Sequence, residues 1–122
     1  MLLVFRAYLE LLLFELDVQR GNFTSLYGKV RNCPIRTKRA DRTLADLCSA
    51  IDKACVWYPK VVLCLQRSAA TAHLLKRYGI SAQLVIGAQQ LPFRAHAWVE
   101  LDGRVVNDKP YMSEIYAVLD RC

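Results

Sequence analysis

The hydrophobic period of this chain changes once, near Gly79. Ahead of that glycine, apolar residues recur at helical spacing; behind it they alternate in short segments suited to strands. Segregation of this kind points to an α+β fold, with N-terminal helices packed on a small antiparallel β-sheet. At 122 residues the chain has room for one domain, and 54% hydrophobic against 23% charged residues gives it a core and none of the composition of a disordered tail. No internal repeat or interdomain linker interrupts it.

From Leu2 to about Arg20 a Leu-rich stretch without Gly or Pro predicts one long helix that stops near Gly21. At about 100° per residue, Arg6, Glu10, Asp17 and Arg20 share one narrow polar stripe, and almost everything else except Glu15 is apolar. Such a helix is either wrapped by the core or keeps part of its surface for a partner or a membrane surface. It does not span a bilayer, because Arg6, Glu10 and Glu15 interrupt a run shorter than the roughly 20 apolar residues required. Acids inside the run, and no small-residue cleavage site after it, also disfavour a secretory signal.

Lys29, Arg31, Arg36, Lys38, Arg39 and Arg42 follow, and with Gly28 and Pro34 breaking any periodicity they predict a basic loop over residues 29–42. Thr43 with Asp46 forms an acidic variant of the capping box, and Leu44, Leu47, Cys48, Ile51 and Cys55 then mark an amphipathic helix in which both cysteines are small core residues. A third helix begins at Cys64 and ends with Gly79 at its C′ position. Ser81–Ala88, Phe93–Glu100 and Arg104–Asp108 read as strands, while Ser113–Leu119 fits either a strand or a short helix.

The five cysteines, at 33, 48, 55, 64 and 122, are odd in number, irregular in spacing and without a Cys-x-x-Cys pair. That argues against a disulfide framework or a structural zinc, implies no cofactor, and suits free thiols in a reducing cytoplasm. A formal charge of +6 favours an acidic partner.

One cysteine is placed for chemistry. Cys64, in the first turn of its helix, meets partial positive charge and unpaired N–H groups, which favour the thiolate and stabilise an oxyanion formed when it attacks a carbonyl. Of the two histidines, His73 lies about 180° around the same helix and belongs to surface or core. His96 stands in Phe93–Glu100, where alternation groups it with Trp98 and Glu100 on one face and sets Ala95, Ala97 and Val99 on the other. If Leu101-Asp102-Gly103 form a three-residue hairpin loop, His96 opposes Asp108, close enough for the carboxylate to orient the imidazole. A two-residue Asp-Gly turn would shift the pairing, set Asp108 opposite Ala97 and point it to the other face. The second oxyanion donor stays open: Gln66 is poorly placed on the helix, and the Trp57 indole N–H is a candidate from the preceding segment whose distance the sequence does not give.

Cys64-Leu-Gln-Arg-Ser, Gly79-Ile, Ile86-Gly87, His96-Ala-Trp-Val-Glu100 and Gly103-Arg-Val-Val-Asn-Asp108 resemble the B2 leader peptidases of lasso peptide biosynthesis, which belong to the transglutaminase-like cysteine peptidases. The likeness covers the C-terminal half of the chain. It implies a transglutaminase/papain-like core over residues 43–122, with the helix and basic loop of residues 1–42 as a partner-docking region. It implies Cys64 as nucleophile, His96 as base and acid, and Asp108 as orienting carboxylate, in hydrolysis of one peptide bond between the leader and core of a ribosomally made precursor. The partners implied are the precursor leader peptide, a separate leader-binding B1 protein and an ATP-using lasso cyclase. Nucleic acid is not among them, no segment is transmembrane, and membrane-surface contact by residues 2–19 stays open. The alternatives are an acyl transferase of the same fold, and a non-catalytic basic module that binds nucleic acid or an acidic protein segment.

Overall fold

The computed structural model describes residues 2–36, 43–90 and 92–122. Helix α1 (Leu2–Arg20) ends as expected at Gly21, whose φ of +65° is one that a residue with a side chain rarely adopts. The basic stretch departs from the loop expected at its start, where Lys29 and Arg31 are helical; residues 32–36 are non-helical as expected, and residues 37–42 lie outside the described residues. Residues Phe23–Arg31 form α2, capped by the Asn22 side chain, which accepts the Ser25 N–H at 3.2 Å. Gly28 does not break this helix: Leu26 and Val30 are fully buried in the core, and that burial outweighs the ~1 kcal/mol that a mid-helix glycine costs. Lys29 and Arg31 are consequently helical residues in ion pairs, with Asp17 at 2.9 Å and Asp120 at 2.8 Å. Lys38, Arg39 and Arg42 lie outside the described residues.

Helix α3 (Leu44–Trp57) starts with the expected capping box, in which the Asp46 N–H donates to Thr43 Oγ1 at 3.1 Å and the Thr43 N–H donates to Asp46 Oδ2 at 3.2 Å. Helix α4 (Cys64–Arg77) ends ahead of Gly79, at a φ of +84°. Of the two arrangements open to α1, the core wraps only one side. Ala7, Leu11 and Phe14 are buried, whereas Leu2, Phe5, Leu9, Leu12, Leu13 and Leu16 are 40–70% exposed. Two acids of the polar stripe fix this orientation by turning inward: Glu10 meets His73 Nδ1 at 2.6 Å and Arg77 at 3.7 Å, and Asp17 meets Lys29. Rotating α1 to hide its leucines would strip both acids of partners, at about 3–5 kcal/mol for a broken buried pair. Among the described residues no helix is long and apolar enough to cross a membrane.

The strands are β1 (Gln83–Gln90), β2 (Phe93–Leu101), β3 (Arg104–Val105) and β4 (Ala117–Arg121), in the antiparallel order β3-β2-β1-β4. The segment read as strand or helix holds both, since α5 (Met112–Ile115) precedes β4. The fold is α+β, with α1–α4 on one face of the sheet and α5 on the other. Leu84, Ala97 and Val99 join Ala69 and Ala72 of α4 in the main core; on the opposite face Val85, Trp98 and Met112 make a second cluster with Tyr116 and Val118.

The hairpin differs from the three-residue loop expected. Glu100 pairs with Val105 and Leu101 with Arg104, so the turn is Asp102-Gly103, with φ of +53° and +79°. Asp-Gly accepts positive φ at both positions, and the resulting turn matches the twist of the flanking strands. The third strand also stops at Val105 instead of continuing to Asp108.

Candidate active site

Cys64 is the first residue of α4, and Leu63 ahead of it supplies no side-chain cap. The helical ladder begins with the Arg67 N–H donating to Leu63 O at 3.0 Å, so the N–H groups of Cys64, Leu65 and Gln66 have no intrahelical acceptor. All five cysteines are free thiols, and Cys64 alone among them is exposed. Burial pushes the Cys33, Cys48, Cys55 and Cys122 thiols up, which keeps them protonated and unreactive. Cys48 and Cys55, expected as core residues, are half-buried rather than fully enclosed.

Side chains beyond Cys64 lock the first turns of α4 in place. Gln66 is buried and donates from Nε2 to Leu11 O at 2.9 Å and Glu15 Oε1 at 3.3 Å; Tyr58 also donates to Glu15. This removes Gln66 from any role at the thiol, in agreement with its angular position on the helix. Trp57 is 79% exposed and does not line the hollow at Cys64. His73, paired with Glu10, sets its ring edge against Phe14 at 5.6 Å, within the surface-or-core role expected of it.

His96 Nε2 lies 2.7 Å from Asp108 Oδ2. In a regular hairpin of the observed register Asp108 would oppose Ala97 and face away from His96, so the contact needs a break in the ladder. Asn107 makes that break. The Val106 N–H still donates to Val99 O at 2.9 Å, but the Val99 N–H donates to Asn107 Oδ1 at 2.7 Å, where a regular ladder would use Val106 O. The Val106 carbonyl instead faces the Cys48 thiol at 3.9 Å. Freed from the strand, the chain bends and carries Asp108 over to the imidazole. Asn107 Nδ2 also donates to Ser68 Oγ at 3.1 Å, and Ser68 donates to Ala97 O at 3.1 Å, so one amide ties α4, β2 and the Asp108 segment together.

The imidazole is held from its faces as well. It stacks on Tyr116 at 5.3 Å and on Trp98 at 6.2 Å, and the buried Trp98 donates from Nε1 to Glu100 Oε2 at 2.9 Å. Gly87, the β1 partner of His96, makes room for these rings: a Cβ there would sit 2.6 Å from Trp98 Cη2 and 2.8 Å from Tyr116 Cβ. Burial alone would raise the Asp108 carboxyl, but the hydrogen bond with His96, together with the Lys109 N–H at 2.8 Å, outweighs it and holds the carboxyl below its usual range.

Cys64 and His96 line one hollow of about 150 Å³; His96 and Asp108 line a neighbouring one of about 270 Å³. The structure thus brings His96 and Asp108 into contact and sets Cys64 with His96 on a shared cavity. Asn107, Gly87 and Tyr116 are the residues that reading the sequence misses. Gly87 alone carries a local signal, since a glycine within a strand marks a close approach. Among the described residues no three His, Cys, Asp or Glu side chains gather as a metal site.

The model of the transglutaminase-like superfamily matches residues 9–121, and the chain belongs to that superfamily. Within it, the chain is similar to the microcin J25-processing protein McjB of Escherichia coli, with 43% identity over 56 residues. That stretch is 46% of this chain and only 27% of the relative's length. No solved structure matches the chain.

Proposed function

We propose that the protein is a cysteine peptidase that removes the leader peptide from a ribosomally made lasso peptide precursor, with Cys64, His96 and Asp108 as its catalytic groups. The observation that carries this reading is the 2.7 Å contact between His96 Nε2 and Asp108, beside the cavity that also holds the exposed thiol at the start of α4. Likeness to a microcin J25-processing protein and the resemblance to leader peptidases support the substrate.

Chemically, Asp108 accepts the Nε2–H of His96, which leaves Nδ1 to take the Cys64 proton. The thiolate attacks the scissile carbonyl, and the oxyanion faces the unpaired N–H groups of the first turn of α4. Collapse of the tetrahedral species breaks the C–N bond, the imidazolium protonates the leaving amine, and a thioester remains. Water, deprotonated at Nδ1, then releases the leader as an acid and restores the thiol.

The test is incubation of the purified protein with a lasso precursor encoded near its gene, with and without a leader-binding protein from the same neighbourhood, followed by mass spectrometry. Cleavage at the leader–core junction by the parent and its loss in Cys64→Ala are expected; cleavage that persists in Cys64→Ala overturns the proposal. The exposed apolar face of α1 suits the leader-binding partner. Because Ala7, Leu11 and Phe14 of the same helix are core residues, Leu9→Glu and Leu12→Glu test that contact, and removal of the helix does not. Both substitutions should weaken partner binding without slowing alkylation of Cys64; unchanged binding rejects the face.

A further inference from the structure

The hollow at Cys64 has a wall that neither the chemistry nor the resemblance uses. Phe23 and Tyr27, four residues apart on one face of α2, stack with centroids 6.4 Å apart and line it together with Ile86 and Ala97 of the sheet. Phe23 is 45% exposed, a large ring held at a rim instead of in the core. We infer that this hollow is a specificity subsite, which receives one apolar side chain from a residue flanking the bond to be cut. The inference rests on the peptidase reading, since Cys64, the nucleophile of that reading, lines the hollow and places the scissile bond there.

Size and polarity define the occupant. A hollow of about 150 Å³ with apolar walls has room for a group as large as benzene, so a branched aliphatic or benzyl side chain fits. Apart from Tyr27 and the two residues of the proposed reaction, Cys64 and His96, every residue that lines it is apolar. A small polar group carried in by the substrate would gain little of the apolar contact that these walls offer. Helix α2 therefore acts in substrate choice through Phe23 and Tyr27.

The experiment uses the full chain and two neutral iodoacetamides, one N-benzyl and one N-(2-hydroxyethyl). The rate of Cys64 modification by each is followed by peptide mapping and divided by its rate with N-acetylcysteine. The benzyl reagent should be favoured by about tenfold or more, the discrimination that an apolar pocket gives. Phe23→Ala, which opens the wall at an exposed position, and Ala95→Leu, which fills the hollow from β2, should each reduce that preference to within about twofold. Val56→Ala, on an exposed position of α3, should keep it. Equal normalised rates for the two reagents in the parent protein, or a preference untouched by both pocket substitutions, overturn the subsite. The ratio is read whatever the absolute rate, so a thiol sluggish toward every reagent counts against the peptidase reading, whereas a reactive thiol without preference counts against the subsite alone.

Discussion

Replacing Gly87 with alanine tests whether the aromatic stack that holds His96 is as close-packed as the geometry indicates. The added methyl would sit 2.6 and 2.8 Å from two ring carbons of Trp98 and 2.8 Å from Tyr116 Cβ. Carbon atoms rest at about 3.5–4.0 Å, so the overlap is close to an ångström on three sides. Neither neighbour is the loose end of a flexible chain: Trp98 is fully buried and tethered through its indole to Glu100, and the Tyr116 atom is the root of its side chain. Overpacking of this kind costs about 1–3 kcal/mol, and the absence of give places Gly87→Ala at the upper end. For a domain of this size that lowers Tm by roughly 10 °C. Thermal unfolding followed by circular dichroism reads the loss, and combining Gly87→Ala with Trp98→Leu should recover part of it relative to Trp98→Leu alone. A Gly87→Ala protein within about 0.5 kcal/mol of the parent would refute the close packing argued for this face.

Other expectations concern the groups around the imidazole. Asn107→Ala leaves the Val99 N–H without its acceptor, and should cost about 1–3 kcal/mol in denaturant melts while slowing cleavage more than it weakens substrate binding; an unchanged kcat would show that Asn107 does not position Asp108. Because the Asp108 carboxyl is held below its usual range, its ionised form stabilises the fold fully above about pH 4, and the contribution is lost as pH falls through the folded value. Urea melts at pH 7 and pH 3 should therefore show the gap between the parent and Asp108→Asn shrinking in acid, and a gap that widens there would contradict the assignment. Iodoacetamide at neutral pH should modify Cys64 well before the four thiols that burial keeps protonated, as peptide mapping will read, and equal labelling of Cys48 would count against it.

Much of the helical framework is legible in the sequence because its signals are local. Thr43 and Asp46 announce the start of α3, and Gly79 the end of α4, through bonds and dihedrals confined to a few residues. Cys64 and His96 are legible for the same reason: a helix start and a strand face depend on spacing alone. Helix α2 is not, because Gly28 and its basic residues argue for a loop while its stability comes from Leu26 and Val30 packed on distant elements. The orientation of α1 is hidden in the same way, since Glu10 turns inward only because His73 and Arg77 of α4 await it. At the site, reasoning by register brings Asp108 to His96 through a loop that does not exist. The contact forms because Asn107 replaces a backbone acceptor with its side chain, and that choice depends on Ser68, 39 residues away in the chain.

The most direct measurement is the intact mass of the protein after brief mixing with a lasso precursor and an acid quench. A covalent adduct with the mass of the leader less one water, mapped to Cys64 and absent from Cys64→Ala, is the predicted result. Release of the leader by a protein that never carries such an adduct, and that still turns over once Cys64 is alanine, would contradict the account.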